Sequence, residues 1–362
     1  MSTVFDPVTV GGLTLKNRIV MSPMTRSRAY APGAVPTPSM ATYYGQRASA
    51  GLIITEGTQP SVVGQGYPNT PGLHSDDQVA AWKLVTDAVH TGGGVIFAQL
   101  MHTGRIGHPS LLPAGMTPVG PSPVAPTGEA LTPDGHKPYL VPETLTEEQI
   151  AATADDFATA ARNALAAGFD GVEIHGANGY LLHQFLSTNA NLRTDRWGGS
   201  IENRVRFPLL VIGAVAAAVG AARVGLRLSP NNPLNDIRED DYHATYRALV
   251  DDLAGKGLAY LHIMELGDRA FTKDLRARFG GTLMLNPATP GGVTGLNELA
   301  LVEDGTADLL AFGAMFLANP DLPRRLAWGG PFNTPDRATF YGGDDHGYTD
   351  YPRLDSTGSL TK

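Results

Sequence analysis

Short apolar runs recur along the chain, and most of them are continuous rather than alternating with polar residues. Eight of these runs are rich in β-branched residues, and each ends in polar or glycine-rich positions. Continuous apolar runs of this length are typical of strands that are buried on both faces of a parallel sheet. The predicted strands span residues 18–21, 51–55, 94–99, 171–175, 224–228, 259–264, 282–285 and 309–312.

Helical patterns lie between these runs. Ser200 precedes one of them, and Thr144 precedes another with Glu147 three residues further on, a spacing typical of a capping box. Strands that alternate with helices predict an α/β fold with a parallel sheet. The clearest predicted helices span residues 76–91, 146–167, 202–219 and 241–256.

Eight strand–helix units favour a closed (β/α)8 TIM barrel over an open sheet. An open dinucleotide-binding sheet would carry G-x-G-x-x-G after its first strand, whereas Ser22-Pro23-Met24-Thr25-Arg26 follows here. The length of 362 residues suits a single barrel domain over residues 1–362. Residues 102–146 are rich in Pro and Gly and are predicted to form a capping insertion after strand 3.

Composition narrows the class of protein. Hydrophobic residues make up 42% of the chain, so a large core can form, and the net charge of -8 without a basic run argues against nucleic-acid partners. Apolar stretches are too short to span a membrane, and the N-terminus does not resemble a signal peptide, so a cytoplasmic protein is expected. Because cysteine is absent and the histidines lack metal-binding spacing, no disulfide and no metal site is expected.

Chemistry in such a barrel is carried at the C-terminal ends of the strands. The residues there include Thr25, Gln99, His175 and Arg227, which form a ring of hydrogen-bond donors and acceptors without a central pair of carboxylates. This ring suits a planar, carbonyl-rich ligand and is unsuited to glycoside hydrolysis. No lysine ends a predicted strand, which argues against Schiff-base chemistry.

The fourth predicted strand leads into a highly specific motif. The chain reads Asp170-Gly-Val-Glu-Ile-His175-Gly-Ala-Asn178-Gly-Tyr180, followed at 193–200 by Arg-Thr-Asp-Arg-Trp-Gly-Gly-Ser. This combination resembles the old yellow enzymes, and the resemblance covers essentially the whole chain. It implies an ene-reductase that reduces activated C=C bonds of small enone-type or nitro substrates, as a monomer or a homodimer.

The resemblance also implies roles for individual residues. His175 and Asn178 would bind the activating oxygen of the substrate, and Tyr180 would donate the proton. The family default is an FMN cofactor with NADPH as hydride donor. Ring-binding residues would be Pro23, Met24, Thr25, Gly57, Gln99 and Arg227, and the substrate pocket would include Tyr67, Met101 and Tyr341.

One departure from the family concerns the cofactor phosphate. Old yellow enzymes follow strand eight with Phe-Gly-Arg, whereas this chain reads Phe312-Gly313-Ala314, and residues 287–290 bring two prolines into the preceding loop. Three alternatives follow. FMN binds weakly or through another cation, with the amides of Gly291, Gly292, Gly313 and Ala314 around its phosphate; coenzyme F420 binds through its phosphodiester; or the protein is a non-catalytic binding barrel without a cofactor.

Overall fold

The computed structural model of the protein describes residues 2–355 and contains eight parallel strands that close into a barrel. The (β/α)8 prediction is confirmed, and each predicted strand matches an observed one to within two residues at either end. The barrel strands are β1 (Ile19–Met21), β2 (Leu52–Ile54), β3 (Ile96–Leu100), β4 (Gly171–Gly176), β5 (Val224–Leu228), β6 (Tyr260–Met264), β7 (Leu283–Asn286) and β8 (Leu309–Phe312).

Helices alternate with these strands, and all four predicted helices are present. The prediction of the cap was wrong by two residues, because Thr146 rather than Thr144 is the N-cap and exchanges hydrogen bonds with Gln149. The helices are α1 (Pro38–Gln46), α2 (Asp76–Thr91), α3 (Glu147–Ala166), α4 (Leu181–Leu186), α5 (Ile201–Val219), α6 (Tyr242–Leu253), α7 (Arg269–Phe279), α8 (Ala300–Glu303), α9 (Ala314–Ala318) and α10 (Leu322–Trp328).

Two hydrophobic cores explain why the strand sequences are continuously apolar. Along β2, Leu52 and Ile54 belong to a cluster inside the barrel, whereas Ile53 belongs to the larger cluster between barrel and helices. Successive side chains of a strand point to opposite faces, and here both faces are buried. A polar residue on the inner face is therefore exceptional and indicates a function or a specific partner.

A short hairpin, which was not predicted, closes the N-terminal end of the barrel. Its strands, Val8–Val10 and Leu13–Leu15, add Val10 and Leu15 to the interior cluster. The turn needs glycine, because Gly11 has a φ of +55° and a Cβ there would lie 1.9 Å from the carbonyl oxygen of Ala222. The hairpin leaves the opposite, C-terminal end of the barrel as the place for a ligand.

The insertion after β3 lies against the loop that follows β5. The Arg105 guanidinium donates to the carbonyl oxygen of Asp236 at 2.7 Å, and the Thr127 N–H donates to the Asp236 carboxylate at 3.1 Å. Its regular structure comprises a hairpin of Glu129–Thr132 and Gly135–Pro138, a short parallel pair of Val119–Gly120 and Glu143–Thr144, and a 3-10 helix at Pro109–Leu111. The capping role and the single-domain organisation stay predictions. No helix within residues 2–355 is both long and apolar enough to cross a membrane.

Candidate active site

A cavity of about 340 Å³ lies at the C-terminal end of the barrel. Its lining residues come from seven of the eight strand ends or the loops that follow them, as expected when ligands bind at this face. The walls include most of the residues singled out from the sequence: Pro23, Met24, Thr25, Gly57, Gln99, Met101, His175, Asn178, Tyr180, Arg227, Gly313, Ala314 and Tyr341. Four further lining residues, Leu234, Met264, Leu317 and Phe340, were not predicted.

The turn after β4 brings three of these side chains together. His175 lies at the end of the strand, and the backbone then reverses through Asn178 and Gly179, whose φ angles are +57° and +78°. Asparagine and glycine are the residues that accept this left-handed conformation at least cost. Tyr180 then caps α4, and its ring meets the ring of His175 edge-on, with 5.1 Å between centroids.

His175 is a neutral hydrogen-bond donor. Burial, together with the positive charge of Arg227, holds the pKa of His175 well below its usual range. A neutral imidazole carries one N–H. The Nδ1 atom is buried, and no residue among 2–355 is its hydrogen-bond partner, so the protein leaves part of the hydrogen-bonding capacity of the imidazole unused. Because His175 lines the cavity, its imidazole can present an N–H to a ligand there.

Tyr180 keeps its proton under neutral conditions, because burial raises the pKa of its hydroxyl above the usual range. Its hydroxyl lies 3.0 Å from that of Tyr67. Tyr67 thus contacts Tyr180. Tyr67 itself is not among the residues that line the cavity. Its predicted contact with substrate stays a prediction.

A buried carboxylate holds the amide of Gln99 at the cavity floor. Gln99 Nε2 donates to Glu173 Oε1 at 2.8 Å, and His262 Nδ1 donates to Glu173 Oε2 at 2.8 Å. Burial alone would raise the pKa of Glu173, but His262, Arg227 and Gln99 together lower it. Glu173 accepts one of the two Nε2 hydrogens, so Gln99 keeps its Oε1 as an acceptor and one N–H as a donor for a ligand.

Arg227 brings a buried positive charge to the same floor. It is 4% exposed, its Nη2 donates to Asn286 Oδ1 at 3.2 Å, and its Nε is buried without a partner among the described residues. The carboxylate of Glu173 offsets this charge inside the barrel. The guanidinium suits the electron-rich edge of a bound ring.

These features fit the ring of a flavin. The floor offers one cation, one acceptor and unpartnered donors, while Pro23 and Met24 provide an apolar wall. Gly57 was expected to let a ring approach the backbone. A Cβ at Gly57 would lie 2.5 Å from Sδ and Cε of Met101, the far end of a flexible side chain, and the approach of a ring to Gly57 stays a prediction.

The region predicted to hold a phosphate fits less well. Gly313 and Ala314 line the cavity at the start of α9, whereas Gly291 and Gly292, in the loop after β7, are not among the lining residues. The N–H of Ala288 in that loop donates to the Glu265 carboxylate at 3.2 Å. The roles of the four predicted phosphate residues stay predictions.

Sequence reasoning missed the residues that support the site. Glu173 and His262 lie two residues before the lining residues His175 and Met264, so the period of two along each barrel strand would have placed them on the same inward face. Asn232 and Asn235 lie in the asparagine-rich loop directly after β5, a position where polar residues end a strand. Among residues 2–355, no group of three or more His, Asp or Glu is arranged to hold a metal ion.

Known proteins resemble the chain along almost its full length. The sequence pattern of the NADH:flavin oxidoreductase / NADH oxidase family matches residues 3–333. The chain is 45% identical to 12-oxophytodienoate reductase 1 of Oryza sativa subsp. japonica over 365 residues, which cover 97% of the chain and 93% of that protein. It is 44% identical to a probable flavin mononucleotide-dependent alkene reductase of Leishmania infantum over 363 residues, covering 97% of the chain and 98% of that protein.

A solved structure agrees with these relatives. Morphinone reductase in complex with tetrahydroNAD superposes with a TM-score of 0.93 at 44% identity, covering 99% of each chain. The fold, the family pattern and the sequence identity thus point to the same group. The chain belongs to the NADH:flavin oxidoreductase / NADH oxidase family, the family of the old yellow enzymes.

Proposed function

We propose that this protein is an FMN-dependent ene-reductase that reduces C=C bonds conjugated to a carbonyl or nitro group. The observation that carries the proposal is the convergence of His175, Asn178 and Tyr180 on one cavity whose floor is formed by Gln99 and Arg227. Relatives named as an alkene reductase and an oxophytodienoate reductase support it. They also argue against the alternative of a non-catalytic barrel.

The three side chains divide the reaction between them. The N–H of His175 and the Nδ2 of Asn178 donate to the activating oxygen of the substrate and stabilise the negative charge that develops there. Tyr180 donates its proton to the α-carbon. The reduced flavin, when bound, supplies the hydride for the β-carbon. The alkene thus gains one hydride and one proton.

FMN is the proposed cofactor, with NADPH as the reductant. The ring would lie against Pro23, Met24 and Thr25, with its pyrimidine edge at Gln99 and Arg227. A family relative named as dependent on flavin mononucleotide supports FMN, and the solved complex of morphinone reductase with a nicotinamide analogue supports a nicotinamide donor. Coenzyme F420 receives no support from these comparisons. Met101 and Tyr341 would border the substrate, and the oligomeric state stays a prediction.

The purified holoenzyme tests this proposal directly. It should be yellow, release FMN identified by its mass and, in the absence of oxygen, oxidise NADPH over many turnovers only when an enone such as 2-cyclohexenone is present. The same preparation should reduce that alkene stoichiometrically. A colourless preparation that turns over enones only with reduced F420, or a yellow one that never reduces an activated alkene, would contradict the assignment.

Restoring an arginine at the phosphate region should tighten cofactor binding. Ala314 lies on the cavity wall at the start of α9. A charge-assisted hydrogen bond contributes about 1.5–3 kcal/mol, so Ala314→Arg should lower the Kd for FMN by roughly 10-fold to 100-fold.

Fluorescence titration of the apoprotein would measure the change. Riboflavin, which lacks the phosphate, is the control ligand, and its affinity should stay the same in both proteins. Equal gains for riboflavin and FMN would show that the new side chain acts on something other than the phosphate.

A further inference from the structure

We propose that Asn232, in the loop after β5, is a positioning residue that turns the donor end of the Asn178 amide toward the substrate. The inference rests on the proposed function, because it concerns the group that binds the activating oxygen. Asn232 is 5% exposed and does not line the cavity itself. It acts through Asn178.

A backbone donor determines which way the Asn232 amide faces. The N–H of Leu234 donates to Asn232 Oδ1 at 3.1 Å. A backbone N–H can only donate, so the atom of Asn232 that receives it must be the oxygen. The Asn232 Nδ2 is then the atom that faces Asn178.

The orientation of Asn178 follows from that of Asn232. The Asn232 Nδ2 donates to Asn178 Oδ1 at 2.9 Å. Since this contact occupies the amide oxygen, the Nδ2 of Asn178 is left for a ligand in the cavity that the residue lines. A directed chain of donors therefore runs from Leu234 through Asn232 and Asn178 to the substrate oxygen, and such chains strengthen each of their hydrogen bonds.

Other contacts fix the place of Asn178 but not the direction of its amide. Its N–H donates to Ser229 Oγ at 2.9 Å, and its carbonyl oxygen accepts from Asn235 Nδ2 at 2.7 Å. Both contacts involve the backbone. Asn232 is thus the contact that selects which end of the Asn178 side chain faces the substrate.

An aspartate at position 232 would reverse the amide. One carboxylate oxygen of Asn232→Asp can still accept from the Leu234 N–H, so the loop keeps its anchor. The other oxygen cannot donate to Asn178 and can only accept a hydrogen bond from it. The Asn178 amide is then expected to turn its Nδ2 toward position 232 and its Oδ1 toward the substrate, where it repels an anionic oxygen.

Binding of an unreactive phenol reports on this orientation without turnover. The ionised oxygen of a para-substituted phenol resembles the enolate, and its binding to the FMN-loaded protein is followed through the absorption of the bound flavin. Asn232→Asp is expected to raise the Kd by about 10-fold to 100-fold, comparable to Asn178→Ala. Asn231→Asp is the matched control, because it adds the same charge one residue away on an exposed side chain, and its Kd should stay near that of the wild type.

A double-mutant cycle separates positioning from a general structural effect. In the Asn178→Ala background, Asn232→Asp should cost no further affinity, because the amide on which it acts is gone. Asn232→Ala, which frees the amide to adopt both directions, should fall between the wild type and Asn232→Asp.

Two outcomes would overturn the inference in distinguishable ways. If Asn178→Ala weakens phenol binding while Asn232→Asp and Asn232→Ala do not, the positioning role fails and the proposed function stands. If Asn178→Ala itself has no effect, the proposed function fails, and the role of Asn232 fails with it.

Discussion

Replacing Tyr180 with phenylalanine is expected to slow alkene reduction by about 10²-fold to 10⁴-fold, the range typical of a lost general acid. Reduction of the cofactor by NADPH should keep its wild-type rate, because that step takes no proton from Tyr180. The ring stays in place without the hydroxyl, so packing against His175 is retained. Stopped-flow measurement of the two half-reactions would separate the effects.

Tyr67→Phe is the matched control for this change. It removes the hydroxyl 3.0 Å from that of Tyr180 and leaves the Tyr180 proton available. We expect a much smaller loss than in Tyr180→Phe. Because burial raises the pKa of Tyr180, wild-type alkene reduction should hold through neutral pH and decline only as the pH rises through that elevated pKa. A Tyr180→Phe protein that loses cofactor reduction but keeps alkene turnover would refute the proton-donor role.

Replacing His175 with alanine should lower kcat/KM for enones by about 10²-fold to 10³-fold, as expected when one donor to a developing oxyanion is removed. The physical reason is that the neutral imidazole donates from a buried position where little water can replace it. Steady-state kinetics with 2-cyclohexenone, together with the FMN content of each preparation, would measure the loss.

Two further variants make the His175 result specific. His175→Asn keeps an N–H donor near the same place and should recover part of the activity. His136→Ala changes an exposed histidine in the hairpin of the insertion and should behave as the wild type. If His175→Ala stays within about threefold of the wild type, less than the effect of one ordinary hydrogen bond, the oxygen-binding role is wrong.

The local pattern of apolar residues was sufficient to predict the barrel itself. A strand such as β5 is buried on both faces, so nearly every residue in it is apolar whatever its partners are. The motif around β4 was equally informative, because His175, Asn178 and Tyr180 lie within six consecutive residues and one turn brings them together. The arrangement of side chains in a segment this short is set by its local backbone conformation.

The hydrogen bonds that support the site could not be predicted from the sequence, because the residues that form them are far apart along the chain. Glu173 meets Gln99 across 74 residues and His262 across 89, and only closure of the barrel makes these inward-facing polar groups neighbours. Other contacts likewise depend on how separate loops pack. Examples are the close approach of Met101 to Gly57 and the hydrogen bond from Asn232 to Asn178.

The sequence alone therefore determined the eight strands and the closed parallel architecture, since these follow from burial and local spacing. Most residues at the cavity were identified from the sequence through its resemblance to the old yellow enzymes. Tertiary structure alone decided which atoms of those residues face a ligand. Amide direction, imidazole protonation and the balance of charge beneath the cavity are set by partners on other strands, because hydrogen bonds and charges act between neighbours in space.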